Sequence, residues 1–315
     1  MRAHDQAVFR APRWSRISLT EDELVEAIAS LVERPDERRV LLGIGDDAAA
    51  WQPSRSHRSV ITTDALIENV HFRRENSTLE AIGRRAMAVN LSDIGAMGAR
   101  PVLATVALGL PAQSAEADAL ALYRGIAELS NAYSCAIAGG DLTRAPLITI
   151  AITVVGEVRA SNLKTRAGAR PSDVIAVTGP LGGARASGYT AIPAPRVAEG
   201  RWLGASRSVH AMMDLSDGLS SDLARMCVRS KCGALLERIP IAAGAEEADA
   251  LGGGEDYELL AAVSPRAFTY LARRFRKRFG RELEWAGVFR EGAGVFLKAE
   301  RGERTVPATG WDHFS

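Results

Sequence analysis

Two periodicities alternate along the chain, apolar residues three and four apart and short β-branched runs, and together they predict helices and strands in turn. Thr20-Glu-Asp-Glu23 is a capping box, with Leu19 placed to staple onto Leu24, so a helix starts here and shows Leu24, Ile28 and Leu31 to a core. After the glycine-rich GIGDDAA (43–49) comes an extended VITTDALI (60–67), then a helix from about Thr78 to Met97, closed by Gly98 and Pro101. PVLATVALGLP (101–111) reads as a strand and 115–132 as a helix. CAIAGGDLTRAP then leads into the β-branched LITIAITVVGEV (147–158), which predicts a buried strand.

The polar stretch ASNLKTRAGARPSD (160–173) marks a boundary between two halves. Beyond it, DVIAVTGPLGG predicts a strand and a glycine loop, HAMMDLSDGLSSDLARMCV a strand, turn and helix, and DYELLAAV a further strand. A helix over 266–279 and two short strands near 285–298 follow. Strands alternating with helices in both halves predict an α/β (α+β) class with two sheets. The expected division is a mobile tail over 1–19, an N-terminal domain over 20–158 and a C-terminal domain over 159–315, with no internal repeat.

Composition narrows the function. Of 315 residues, 47% are hydrophobic and 24% charged, the balance of a folded, water-soluble protein. A formal charge of +1 argues against a nucleic-acid partner and favours a small molecule. Cys135, Cys227 and Cys232 are too few and too scattered for a disulfide framework or a paired zinc motif, so a reducing cytoplasm is expected. Arg2, Arg10, Arg13 and Arg16 precede no continuous apolar stretch, and no run reaches the ~20 apolar residues of a membrane span, so no signal peptide, anchor or membrane association is expected.

The chemistry lies in carboxylates beside glycine or other small residues: Asp46 and Asp47, Asp64, Asp93, Asp141, and Asp214 with Asp217. Small neighbours let the backbone approach a ligand. Gathered at one site these acids would repel one another unless divalent cations neutralised them, and magnesium suits all-oxygen ligands. For any single Asp, a turn or cap role is the plainer reading. GIGDDA also fits the dinucleotide pattern G-x-G-x-x-A, but two aspartates would oppose a pyrophosphate there, and no Walker sequence occurs. In DLSDGLSSDLARM, Ser216 and Asp217 enter a helix whose apolar face is Leu219, Leu223 and Met226, and whose free amides could hold an anion; Asp217 is alternatively an N-cap. Lys164, Arg166 and Arg170 could reach nucleotide phosphates, with solvated surface charge an equal alternative for Lys164 and Arg170.

In order, GIGDDAA, TTDALIENVHF, AVNLSDIGAMGARP, GGDLTRAP, DLSDGLSSDL, GGGEDYEL and the terminal GWDHF resemble thiamine-monophosphate kinase, from about residue 43 to the end. The resemblance implies a two-domain fold like that of aminoimidazole ribonucleotide synthetase. It also implies a homodimer through N-terminal sheets forming a barrel, and a cleft holding ATP and several Mg2+ ions. Family metal ligands fall on Asp47, Thr63, Asp64, Asp93, Asp141, Asp214 and Asp217, with Thr62 standing where the family usually has serine. Nucleotide contacts fall on Gly140, Asp141, Arg166 and Ser216, and contacts to thiamine monophosphate on His71, Glu255 and Trp311. The segment 188–200 and the stretch before GGGEDYEL are shorter than the family pattern.

On this reading the acceptor is already a phosphate dianion, so no general base is required and the aspartates hold metal. Glu255 and the face of Trp311 would meet the thiazolium cation. Alternatives are another ATP-using member of the superfamily, such as a selenophosphate synthetase, and a metal- or nucleotide-binding protein without turnover. A selenophosphate synthetase should show a reactive Cys and Lys before the GDD motif, and neither is present; a purine-pathway synthetase is a further member of that alternative.

Overall fold

The computed structural model describes residues 21–32, 40–42, 44 and 50–310. The Thr20 cap, Asp46, Asp47 and Trp311 lie outside them.

In the N-terminal half, α1 (Glu21–Leu31) buries Leu24 and Ile28, followed by Val32, while Leu31 stays half-buried. A small antiparallel pair, β1 (Val40–Leu42) and β2 (Ala50–Trp51), precedes β3 (His57–Ile67). Then come α2 (Leu79–Ala96), β4 (Arg100–Leu110), α3 (Glu116–Ala132), β5 (Ala136–Arg144) and β6 (Thr149–Arg159). α2 starts where the sequence predicts, and the Thr78 hydroxyl caps it by accepting from the Ala81 amide at 3.2 Å. Strands order as β3-β6-β4-β5, with β6 antiparallel to both neighbours and β4 parallel to β5. Along β3, Thr62, Asp64 and Leu66 are less exposed than Ile61, Thr63 and Ala65, the period-two signature of a sheet with one covered face. Met87, Leu91, Leu122, Ile126, Ile150 and Ile152 fill the layer between sheet and helices.

The C-terminal half runs β7 (Val174–Val177), α4 (Gly183–Ala186), α5 (Val197–Gly204), β8 (Val209–Asp214), α6 (Leu219–Ser230), β9 (Gly233–Leu236) and α7 (Glu247–Gly252). It closes with β10 (Leu259–Val263), α8 (Pro265–Phe279), β11 (Glu284–Arg290), β12 (Val295–Lys298) and β13 (Glu303–Thr305). These strands form a seven-stranded sheet, β13-β12-β9-β11-β7-β10-β8, antiparallel except between β12 and β9. α6 covers one face through Leu219, Leu223 and Met226, the three residues its sequence pattern picks out. α8 covers the other through Leu271 and Phe275, against which Trp202 of α5 packs edge-on with ring centroids 6.0 Å apart.

The halves meet where α2 crosses α5. Gly95 and Gly200 allow backbone to touch backbone, since a Cβ on Gly200 would overlap the Gly95 carbonyl. Arg196, just before α5, reaches the buried Glu258 through two hydrogen bonds of 2.9 and 2.7 Å, and Arg281 adds a third at 2.6 Å. Lys164 ties the connecting segment down: its ammonium donates to the carbonyls of Ser206 at 3.0 Å and Val209 at 2.7 Å. That buried ammonium is a structural tether, neither a solvated charge nor turned to a phosphate site.

Candidate active site

Between the halves lies a cleft of about 620 Å³, lined among others by Thr62, Asp93, Met97, Arg166, Met212 and Asp214. Asp93 and Asp214 line it from separate elements, and Asp64 neighbours Asp93. Asp64 sits mid-way along β3, Asp93 in the last turn of α2, and Asp214 at the C-terminal end of β8. Asn90, one turn before Asp93, accepts from the Asp64 amide at 3.1 Å and returns a bond to the Ala86 carbonyl at 3.0 Å, fixing strand to helix. Thr62 donates to Asp93, and Ser92 donates to Asp214 Oδ2 at 2.7 Å.

Burial and mutual repulsion raise these acids. Desolvation, then the charge and hydrogen bond of Asp93, push Asp64 up to about 6. Asp93 is also raised by burial, against the pull of the Thr62 bond and the Arg166 charge. Asp214 is pushed to about 8 by burial and then by Asp93, although Ser92 and Arg166 oppose the shift. Arg166 is the cation that faces both Asp93 and Asp214.

The DLSD turn is built differently from an aspartate cap. Gly218, with φ of +108°, occupies the N-cap of α6, and the Asp217 amide donates to Asp222 Oδ2 at 3.0 Å. Arg225 ion-pairs with Asp217 and bonds Asp222 Oδ1 at 2.6 Å. So the Asp217 amide is already taken by Asp222, a residue the motif contains but the sequence reading did not single out.

The other expected positions disperse. Thr63 donates to the Ile152 carbonyl at 3.1 Å and so bonds within the sheet. His71 follows β3, and its Nδ1 accepts from the Ile67 amide at 3.0 Å. Ser216 presents its carbonyl to the Glu255 amide at 2.6 Å. Asp64 stands opposite Ile152, Ile152 opposite Val106, and Val106 opposite Gly140. Gly140 and Asp141 are therefore three strand spacings from Asp64, roughly 14 Å within one chain. Arg170 is exposed at the boundary.

Among the described residues no three His, Cys, Asp or Glu side chains stand in a metal-holding group. The donors nevertheless fit a hard cation: hydroxyls and buried carboxylates whose repulsion a divalent ion would relieve. Magnesium commonly uses one or two carboxylates and takes water and phosphate for the rest. Asp93 with Asp64, and Asp93 with Asp214, are the carboxylate pairs suited to hold such an ion.

Two sheets bridged by α2, with a carboxylate-lined cleft at the junction, define a class that the comparisons identify. Residues 45–158 match the family model of AIR synthase related protein, N-terminal domain. Thiamine-monophosphate kinase from Rhodopirellula baltica is 42% identical over 248 residues, covering 72% of this chain and 77% of that protein. The crystal structure of thiamine-monophosphate kinase from Stenotrophomonas maltophilia K279a superposes with a TM-score of 0.78 at 33% identity, covering 90% of this chain and 98% of that one. A structure described as AaThiL complexed with AMPPCP and TMP gives a TM-score of 0.71 at 28% identity, over 93% and 97% of the two chains. The chain belongs to the thiamine-monophosphate kinase family.

Proposed function

We propose that this protein transfers the terminal phosphoryl group of ATP to thiamine monophosphate, completing the synthesis of thiamine diphosphate. One observation carries the reading: Asp93 and Asp214, from α2 and β8, line one cleft with Arg166, and Asp64 of β3 stands beside Asp93, in a chain of this family. A relative whose solved structure is a complex with AMPPCP and TMP supports it.

Transfer is direct. An oxygen of the acceptor phosphate attacks the terminal phosphorus of ATP, the bond from that phosphorus to the β–γ bridging oxygen breaks, and ADP leaves. The acceptor needs no base because its phosphate is ionised near neutral pH. Bound Mg2+ would supply charge neutralisation of the phosphates. Asp64, Asp93 and Asp214 would serve ions at the cleft, and Asp47, Thr62, Thr63, Asp141 and Asp217 would be further ligands among several ions, Asp141 at a separate one because it stands three strands from Asp64. Arg166, Gly140, Asp141 and Ser216 orient the nucleotide. His71, Glu255 and Trp311 receive the thiamine end, where Glu255 offers charge to the thiazolium.

A homodimer through the N-terminal sheet belongs to the same proposal. β3 is an 11-residue edge strand whose Ile61 is 72% exposed, and a long open edge favours cover by another strand. The division at 158/159 and a cytoplasmic location complete it. Among the described residues, no helix is long and apolar enough to cross a membrane. The deciding experiment is formation of thiamine diphosphate from ATP, Mg2+ and thiamine monophosphate. With labelled ATP alone, the protein should remain unlabelled.

A further inference from the structure

Arg85 has no part in the site as described so far, yet its position is unusual. It lies on α2, eight residues before Asp93, an axial distance of about 12 Å. Its residue is only 6% exposed, and a guanidinium that deep is costly unless paired. Its partners are the Glu255 carboxylate and the Tyr189 carbonyl. Tyr189 in turn donates its hydroxyl to the Gly253 carbonyl at 2.8 Å, so both partners of Arg85 belong to, or are tied to, GGGEDYEL.

That segment is held in an uncommon backbone. Glu255 (φ 60°) and Tyr257 (φ 51°) are both left-handed without being glycine. Hydrogen bonds from their amides to Ser216 O (2.6 Å) and Leu215 O (2.9 Å) keep them there. Such conformations persist where the surroundings over-determine them, commonly at ligand sites. Tyr257 packs against the N-terminal core, and its phenol is within electrostatic reach of Asp214, Asp64, Asp93 and Arg85. Among the described residues its hydroxyl has no hydrogen-bond partner.

The Arg85–Glu255 pair is thus a buried cation beside a half-buried anion, and the substrate of the proposed reaction carries the complementary pair, an anionic phosphate and a cationic thiazolium. We propose that thiamine monophosphate opens this internal ion pair: Arg85, with the Tyr257 hydroxyl, takes the acceptor phosphate, and Glu255 is released to the thiazolium. This rests on the functional reading above and adds to it the group that recognises the phosphate. Bound Mg2+ would offset the aspartates and the nucleotide phosphates, and a cation apart from them holds the acceptor phosphate beside the nucleotide. A guanidinium suits the role because it grips phosphate through paired donors. Exchange of one ion pair for two leaves no charge unpaired in either state, and an unphosphorylated thiamine would strand Arg85. The same pair therefore selects for the monophosphate.

The test compares binding of thiamine monophosphate and thiamine by calorimetry, with a non-hydrolysable ATP analogue present, in wild type, Arg85→Gln and Tyr257→Phe. Wild type should prefer the monophosphate. Arg85→Gln should lose roughly ten- to hundredfold of that preference, the worth of a hydrogen-bonded charge, while the KM for ATP stays within about twofold. Tyr257→Phe, which keeps the ring and its packing, should weaken the monophosphate several-fold and leave thiamine unchanged; it decides the matter if Arg85→Gln does not fold. Wild-type preference in Tyr257→Phe and in folded Arg85→Gln, or equal loss for both ligands, overturns the inference while leaving the kinase reading standing. Wild-type protein that makes no thiamine diphosphate overturns that reading, and this inference with it.

Discussion

The hydroxyl of Ser92 donates to Asp214 across 2.7 Å, and in doing so joins the last turns of α2 to the end of β8. The bond is buried and spans the two halves of the protein. It also pulls against the desolvation that raises Asp214, so one hydroxyl both positions the carboxylate and favours its charged form.

Replacing Asp64 by Asn removes a carboxylate that burial and Asp93 already disfavour. In chelator, thermal unfolding should be unchanged or shifted upward. Turnover in excess Mg2+ should fall by about two orders of magnitude or more, because an amide is a poor magnesium ligand. Asp141→Asn, across the sheet from this cluster, should bring no such relief of stability. A fully active Asp64→Asn protein would remove the main support for metal at this cleft.

The pH dependence has a defined sign. Asp64 and Asp214 titrate in the fold at about 6 and about 8, above their ordinary 3.8, so their protonated forms favour folding. That contribution is complete below 3.8 and is lost as pH rises through about 6 and then about 8. Metal-free protein should therefore lose melting temperature over this range. Mg2+, which binds the ionised carboxylates, should raise it more at the alkaline end, as scanning fluorimetry with and without chelator will show. A magnesium shift that shrinks with rising pH contradicts the assignment.

Glu258 behaves oppositely. Burial pushes it up, but the Arg196 bond and charge, the Arg281 charge and the Thr178 hydroxyl together hold it below its ordinary 4.5. Its stabilisation is present above that value and is lost as pH falls through the lower folded value. Glu258→Gln should cost about 3–5 kcal/mol, since it strands the Arg196 guanidinium and leaves Arg281 only its longer contact with Glu199, and should flatten the acid limb of the stability profile. Chemical denaturation at several pH values measures both.

Lys231 closes α6 with φ of 56°, a left-handed conformation more comfortable for glycine. The Cys232 amide bonds the Cys227 carbonyl at 3.1 Å and the Lys231 amide bonds that of Val228 at 3.3 Å, the paired closure of a Schellman end. Lys231→Gly should stabilise the protein by up to about 1 kcal/mol without altering turnover. A lower denaturation midpoint would show that the lysine side chain contributes something its backbone conformation does not reveal.

Much of this was readable from residue order, and the exceptions have physical causes. Thr78, the helical period and Gly98 delimit α2 because capping and a left-handed terminus are local events. The strand over Ala136–Arg144 was not anticipated, since Gly139, Gly140 and Asp141 weaken strand propensity and only its parallel pairing with β4 makes it one. The aspartates declared themselves by their small neighbours, whereas Ser92, Asp222 and Arg85 did not. Their roles depend on partners 122, 5 and 170 positions away, at Asp214, Asp217 and Glu255, and no local pattern encodes the first or last of these distances.

Gly95 and Gly200 bring α2 and α5 into contact with no side chain between them. A contact without side chains has no rotamers to rearrange, so it cannot yield gradually. If the cleft widens to admit a nucleotide, the halves must roll about this point, as on a pivot, while Asp93 two residues upstream moves least. Motion would then be greatest at the far rim, around Glu255 and Tyr189, where the second substrate is to enter. One methyl group placed at the pivot would act as a wedge, tilting one half on the other and displacing Asp214 from Ser92 with every carboxylate still in the sequence.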